Sequence, residues 1–97
     1  MVFDLRGALL KKEEIESARL MDFEFRLRAR TMRMLAATIG HDPEAMVGRI
    51  ALQEDEAILA DLEPANPDIR ADFARARDEA RRLLIAERGD PTPHKLA

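Results

Sequence analysis

Between Gly7 and Gly40 the chain has neither glycine nor proline, so residues 8 to 39 can run as one long helix or as two abutting ones. A segment of that length takes about a third of a 97-residue chain and dictates how the remainder must pack. The breaks that follow are well marked. Gly40 is a natural C-terminal stop, and His41-Asp42-Pro43-Glu44 restarts a helix with Asp42 as N-cap and Pro43 at the first position. The pattern then predicts a second helix to about Leu62, weakened at Gly48. Asn66-Pro67-Asp68 repeats the start signal with Asn66 as cap, and a third helix runs to Arg88 and stops at Gly89. With 4% aromatic residues, all of them Phe, and many Ala, Leu, Arg and Glu, the composition favours helix over sheet. The expected fold is all-α: a small bundle of three to four helices, with a flexible N-terminal arm at 1–14, a bundle domain at 15–89 and a short disordered tail at 90–97.

Helical phase gives the first helix two apolar stripes. Ile15, Ala18, Met21, Phe25, Ala29, Met32, Leu35, Ala36 and Ile39 share one; Leu9, Leu20, Phe23, Leu27 and Met34 share the opposite side. Such a helix is either packed on both sides within its own chain or uses one face for a partner, including a second copy. In the second helix, Met46, Val47, Ile50, Ala51, Ala57, Ile58 and Leu62 form the buried stripe, with Glu54 and Asp61 falling inside it. Inward carboxylates need partners, and these two are expected to meet arginines of the first helix rather than act as an acid/base pair or metal ligands. The third helix carries Ile69, Phe73, Ala76, Ala80, Leu83 and Leu84 on one face.

A ridge of Arg19, Arg26, Arg30 and Arg33 runs between the stripes of the first helix, at a spacing able to grip phosphates or carboxylates. It is a candidate anion or weak nucleotide site. The alternative is internal pairing, because residues 42 to 63 hold seven acids against Arg49 alone.

No enzyme is read here. His41 lies at a turn and His94 in the tail, Ser17 has no elbow around it, the four glycines form no phosphate loop, and there is no Cys. No cofactor or metal is expected. A net charge of −3 and pI near 5.4 oppose a general nucleic-acid binder. No apolar run reaches the roughly 18 residues of a membrane span, and Asp4, Arg6 and Lys11-Lys12-Glu13-Glu14 spoil a secretory signal, so a cytoplasmic protein is expected. What remains is binding. Val2, Phe3, Leu5, Leu9 and Leu10, with Arg6, Lys11 and Lys12, form an arm that can fold into a partner's groove, or else a plain helix end packed on the same core.

At this point the residues resemble a family, the zeta-type inhibitor subunit of the alphaproteobacterial F-type ATP synthase. Phe3-Asp4-Leu5-Arg6 is similar to that family's Phe-Asp-x-Arg start, and Phe25-Arg26-Leu27-Arg28-Ala29-Arg30 to its Phe-basic-x-x-Ala-Arg segment. Met34-Leu35-Ala36, Thr38-Ile39-Gly40, Ala60-Asp61-Leu62-Glu63 and Ala65-Asn66 follow in matching order, so the resemblance covers roughly residues 3 to 66. The chain lacks the family's tryptophan segment, and after Asn66 it reads as one helix where the family has two; it resembles a divergent paralogue. The resemblance implies a four-helix bundle whose arm enters the α/β interface of the ATPase near the central γ shaft and stops rotary ATP hydrolysis mechanically. It also implies a peripheral position at the membrane through the ATP synthase. Two further readings stand beside it: a nucleotide- or anion-sensing bundle using the arginine ridge, and a self-association module, monomer or weak homodimer, that buries Leu20, Phe23 and Leu27.

Overall fold

The computed structural model describes the backbone of residues 5–91 and the side chains of residues 15–91. Four helices follow in order: α1 (Leu5–Ile39), α2 (Pro43–Arg49), α3 (Asp55–Leu62) and α4 (Ile69–Arg88). No strand occurs among the described residues. The breaker-free segment is a single helix, α1, of 35 residues. At about 1.5 Å per residue it is some 52 Å long, which accounts for most of the 61 Å long axis of a molecule only 30 × 20 Å across.

The stop at the end of α1 forms as its residues require. Gly40 sits at φ +73°, where a Cβ is strained, and the His41 N–H reaches back to the Ala36 carbonyl at 2.9 Å. Asp42 then caps α2 by accepting from the Glu44 N–H at 3.2 Å, with Pro43 opening the helix.

The expected second helix is two helices. The chain leaves α2 at Ile50, turns through Ala51, Leu52 and Gln53, and restarts at Asp55. Two causes are visible. Gly48 weakens the end of α2, while Asp55 and Glu56 favour the positive end of a new helix dipole. The turn is also held from outside: Arg28 of α1 donates to the Gln53 carbonyl at 3.1 Å and to Asp55 at 2.9 Å. This break puts Ala51, Glu54 and Ala57 at the surface and buries Leu59 instead. Glu54 and Asp61 are therefore exposed rather than inward, and Asp61 receives Arg49 at 2.7 Å.

Asn66 also differs from expectation. Its side-chain amide donates to the Leu62 carbonyl at 3.1 Å, so it closes the end of α3 and Asp68 stands as the N-cap of α4. The α4 stripe is as expected: Ile69, Ala76, Ala80 and Leu84 are buried, Phe73 and Leu83 half-buried. Gly89, at φ +82°, ends it.

Two apolar clusters form, both centred on α1. Ala29, Met32, Leu35 and Ala36 pack with Met46 and Ile50, with Ile58, Leu59 and Leu62, and with Ile69. On the other side, Phe23 and Leu27 pack against Ala80 and Leu84 of α4, flanked by Met34 and Ile85. From Phe23 onward α1 is thus packed on both sides by its own chain. Of the self-association stripe Leu20, Phe23 and Leu27, the last two are buried intramolecularly, while Leu20 is 38% exposed. Among the described residues the one buried polar side chain, Thr31, is satisfied by donating to the Leu27 carbonyl at 2.6 Å.

The first stripe outruns its cover. Residues 15 to 22 are all exposed, and Phe25 is 55% exposed. The phase is right, for Phe25 lies one turn from buried Ala29, but α2 and α3 have seven and eight residues and cannot cover the length of α1. Replacing Leu27 with Ala should lower stability by about 2–5 kcal/mol in urea unfolding. Met21→Ala on the same helix should change it by no more than about 0.5 kcal/mol.

Candidate functional site

The uncovered face of α1 is where this molecule departs from a closed bundle. Ala18, Met21 and Phe25 follow one another at three- and four-residue spacing on the side that further along enters the core. Met21 is 73% exposed, Ile15 56%, and Leu52 in the α2–α3 turn 87%. Arg28, one turn beyond Phe25, ties that turn to α1. Phe25 also begins a cleft of about 650 Å³ between α1, α2 and α4. Ala29, Val47 and Leu84 give it apolar walls, and Arg26, Arg30, Arg33 and Arg88 surround them with Asp22 and Glu87. A smaller cleft of about 440 Å³ lies beside Met34, Thr38 and Ala76, where Asp72 and Arg75 pair with each other.

The arginine ridge is largely engaged inside the protein. Arg26 donates to Asp22 at 2.9 Å along its own helix. Arg30 makes a two-pronged pair with Glu87 of α4, both bonds 2.8 Å, and Arg33 meets Glu44 of α2 more loosely at 3.3 Å. Arg19 is exposed and has no ion pair with a described residue. A ready-made four-guanidinium anion site is therefore absent. The acids of residues 42 to 63 do neutralise α1, through Glu44 and Asp55, but they also pair elsewhere: Arg70 of α4 holds both Glu56, at 2.7 Å, and Glu63, at 3.0 Å.

These bonds shift the groups that make them. The Glu87 carboxyl lies below its ordinary value, mainly because Arg30 hydrogen-bonds the charged form, and Glu56 is lowered in the same way by Arg70. The guanidinium groups of Arg30 and Arg70 are raised by the same hydrogen bonds. His41, Ser17 and Glu54 are exposed, and no cluster of three or more His, Cys, Asp or Glu able to hold a metal occurs among the described residues.

Of the arm, Val2 and Phe3 lie outside the described residues. Leu5, Arg6, Leu9, Leu10, Lys11 and Lys12 lie on the α1 backbone, with side chains outside the described set. No described helix is long and apolar enough to cross a membrane. Phase placed Met21 and Phe25 on the right face, but nothing in the pattern said that the covering helices would stop short. The Arg30–Glu87 pair joins residues 57 apart and had no local signal.

No protein family, curated protein or solved structure shows a significant match to this chain.

Carboxyls lowered by arginine stabilise the fold fully above their unfolded values, and that contribution is lost as pH falls through the lowered folded values. The melting temperature should be flat from about pH 7 to about pH 5 and decline below about pH 4.5. Glu87→Gln should lower it at neutral pH and make the acid decline shallower, as followed by circular dichroism.

Proposed function

We propose that this protein is a non-catalytic regulator that binds the catalytic sector of an F-type ATPase and blocks ATP hydrolysis through its N-terminal arm. The observation that carries the reading is the uncovered stripe of α1, which lies in the same continuous helix as residues 5–14 of the arm. A rod that is gripped by α2, α3 and α4 at one end and exposed over residues 15–22 can be pushed between partner subunits without dismantling the core. The gripped end supplies the resistance that a mechanical stop requires. The ordered resemblance of residues 3 to 66 to the zeta-type inhibitors supplies the identity of the partner.

In this reading Val2, Phe3, Leu5, Leu9 and Leu10 are the apolar anchors, and Arg6, Lys11 and Lys12 meet acidic rims of the α and β subunits around γ. Met21 and Phe25 extend the contact toward the bundle. Affinity rests on a few such anchors, since ordering a segment on binding costs entropy. The protein acts as a monomer, held at the membrane periphery by the synthase alone. Internal pairing of Arg26, Arg30 and Arg33 favours this reading over a nucleotide-sensing ridge.

The deciding experiment is ATP hydrolysis by the isolated cognate catalytic sector, with the full chain and with residues 1 to 12 removed. The full chain in excess should inhibit by at least about tenfold, and the inhibition should disappear on truncation. Circular dichroism should show the shortened chain still helical. Inhibition that survives truncation, or no inhibition by either form, overturns the proposal.

A further inference from the structure

The cleft beginning at Phe25 is a second feature of the molecule, distinct from the arm. Its apolar surface comes from three elements: Phe25 and Ala29 of α1, Val47 of α2 and Leu84 of α4. It is open along one side, whereas small-molecule sites enclose roughly 70–90% of their ligand. An elongated occupant suits it better than a compact one.

The charge around it selects the kind of occupant. Four arginines line the cleft against two carboxylates, Asp22 and Glu87, in a chain whose net charge is −3. Counting Glu44 on Arg33 still leaves four cations to three anions. The pairs are also unequal. Arg30 is committed to Glu87 by two short bonds, but Arg33 and Glu44 share one contact of 3.3 Å and are 50% and 75% exposed. Exposed single-contact pairs are weak and exchange readily with an incoming carboxylate.

We infer that the α1–α2–α4 cleft is a docking groove for an amphipathic helix of another protein, one with an apolar stripe flanked by Asp and Glu. The apolar stripe replaces water over Phe25 and half-buried Val47, as in other helix-in-groove contacts. The flanking carboxylates take up Arg33, whose own pair is loose, and meet exposed Arg88 at the rim, which fixes the orientation of the helix. The inference concerns the body of the protein and does not depend on the ATPase reading.

The test uses the full chain and a fluorescein-labelled designed helix of 18 residues, with Leu at i, i+4, i+7 and i+11 and Glu on both flanks. A counterpart with Lys in place of Glu serves as the charge control. Fluorescence anisotropy should show saturable binding of the Glu helix with a Kd on the order of tens of micromolar. The Lys helix should bind at least about tenfold more weakly. Phe25→Ser, at a half-exposed position outside both buried clusters, should weaken the Glu helix at least about fivefold with unchanged circular dichroism. Leu52→Ser, outside the cleft, should leave binding unchanged.

Equal affinity for the two helices, no saturation by about 1 mM, or equal loss in the Leu52 and Phe25 variants would overturn the inference. So would a dimer in sedimentation equilibrium that Phe25→Ser dissociates, which would assign the groove to a second copy. A tenfold gain in affinity on removing residues 92–97 would assign it to the chain's own tail and overturn it equally.

Discussion

Everything in this molecule is arranged around the burial of two opposite faces of one helix. Phe23 and Leu27 on one side, and Met32, Leu35 and Ala36 on the other, are each at most 5% exposed. Burying both faces requires neighbours on both sides, and α4 covers the first with Ala80 and Leu84 but adds only its first turns, at Ile69 and Phe73, to the second. The chain therefore folds back through two short helices that cover the second face before α4 returns along the first. Fully burying a large aliphatic side chain is worth about 1.5–3 kcal/mol, so Met46, Ile50, Ile58, Leu59 and Leu62 together offset what Gly48 and the turn at residues 50 to 54 cost. The asymmetry of the molecule follows from the same arrangement. Helices of seven and eight residues cover about 10–12 Å of a 52 Å rod, and the uncovered stripe is what they leave.

Charge organises what burial leaves open. The guanidinium groups of α1 are distributed among its neighbours: Arg28 to the α2–α3 turn, Arg30 to α4, and Arg33 to α2. Exposed pairs of this kind contribute little each to stability. Their more important effect is on specificity. Arg28 bonds a backbone carbonyl and a carboxylate together, at side-chain exposures of about a quarter, and so ties to α1 a turn that Arg49 holds locally. The same pairing removes most of the anion-binding capacity that a row of arginines suggests, and leaves Arg19 and the rim of the cleft as the cationic surface.

The functional reading rests on the contrast between the two ends of α1. A closed, fully paired bundle would have nothing with which to bind. Here the packed end provides a rigid body, while the bare end and the cleft offer apolar surface next to cationic side chains. That combination suits protein partners better than small ligands, because the apolar surface is extended and open rather than enclosed.

The helical class, the stop at Gly40, the Asp42-Pro43 restart and the α4 stripe were all legible in the sequence, whereas one long first helix and two abutting ones fitted it equally well. Each depends on residues within one or two turns of one another: a glycine able to take a positive φ, a side chain reaching its own backbone, an apolar repeat of three and four. The α2–α3 break was half legible, in Gly48 and the Glu54-Asp55-Glu56 run. It was completed by Arg28, 25 and 27 residues away. The sequence by itself determined which faces of α1 are apolar. Only the tertiary structure decided where along α1 those faces are covered, because cover depends on how far the other helices reach and on ion pairs between residues distant in the chain, and periodicity carries no information about either.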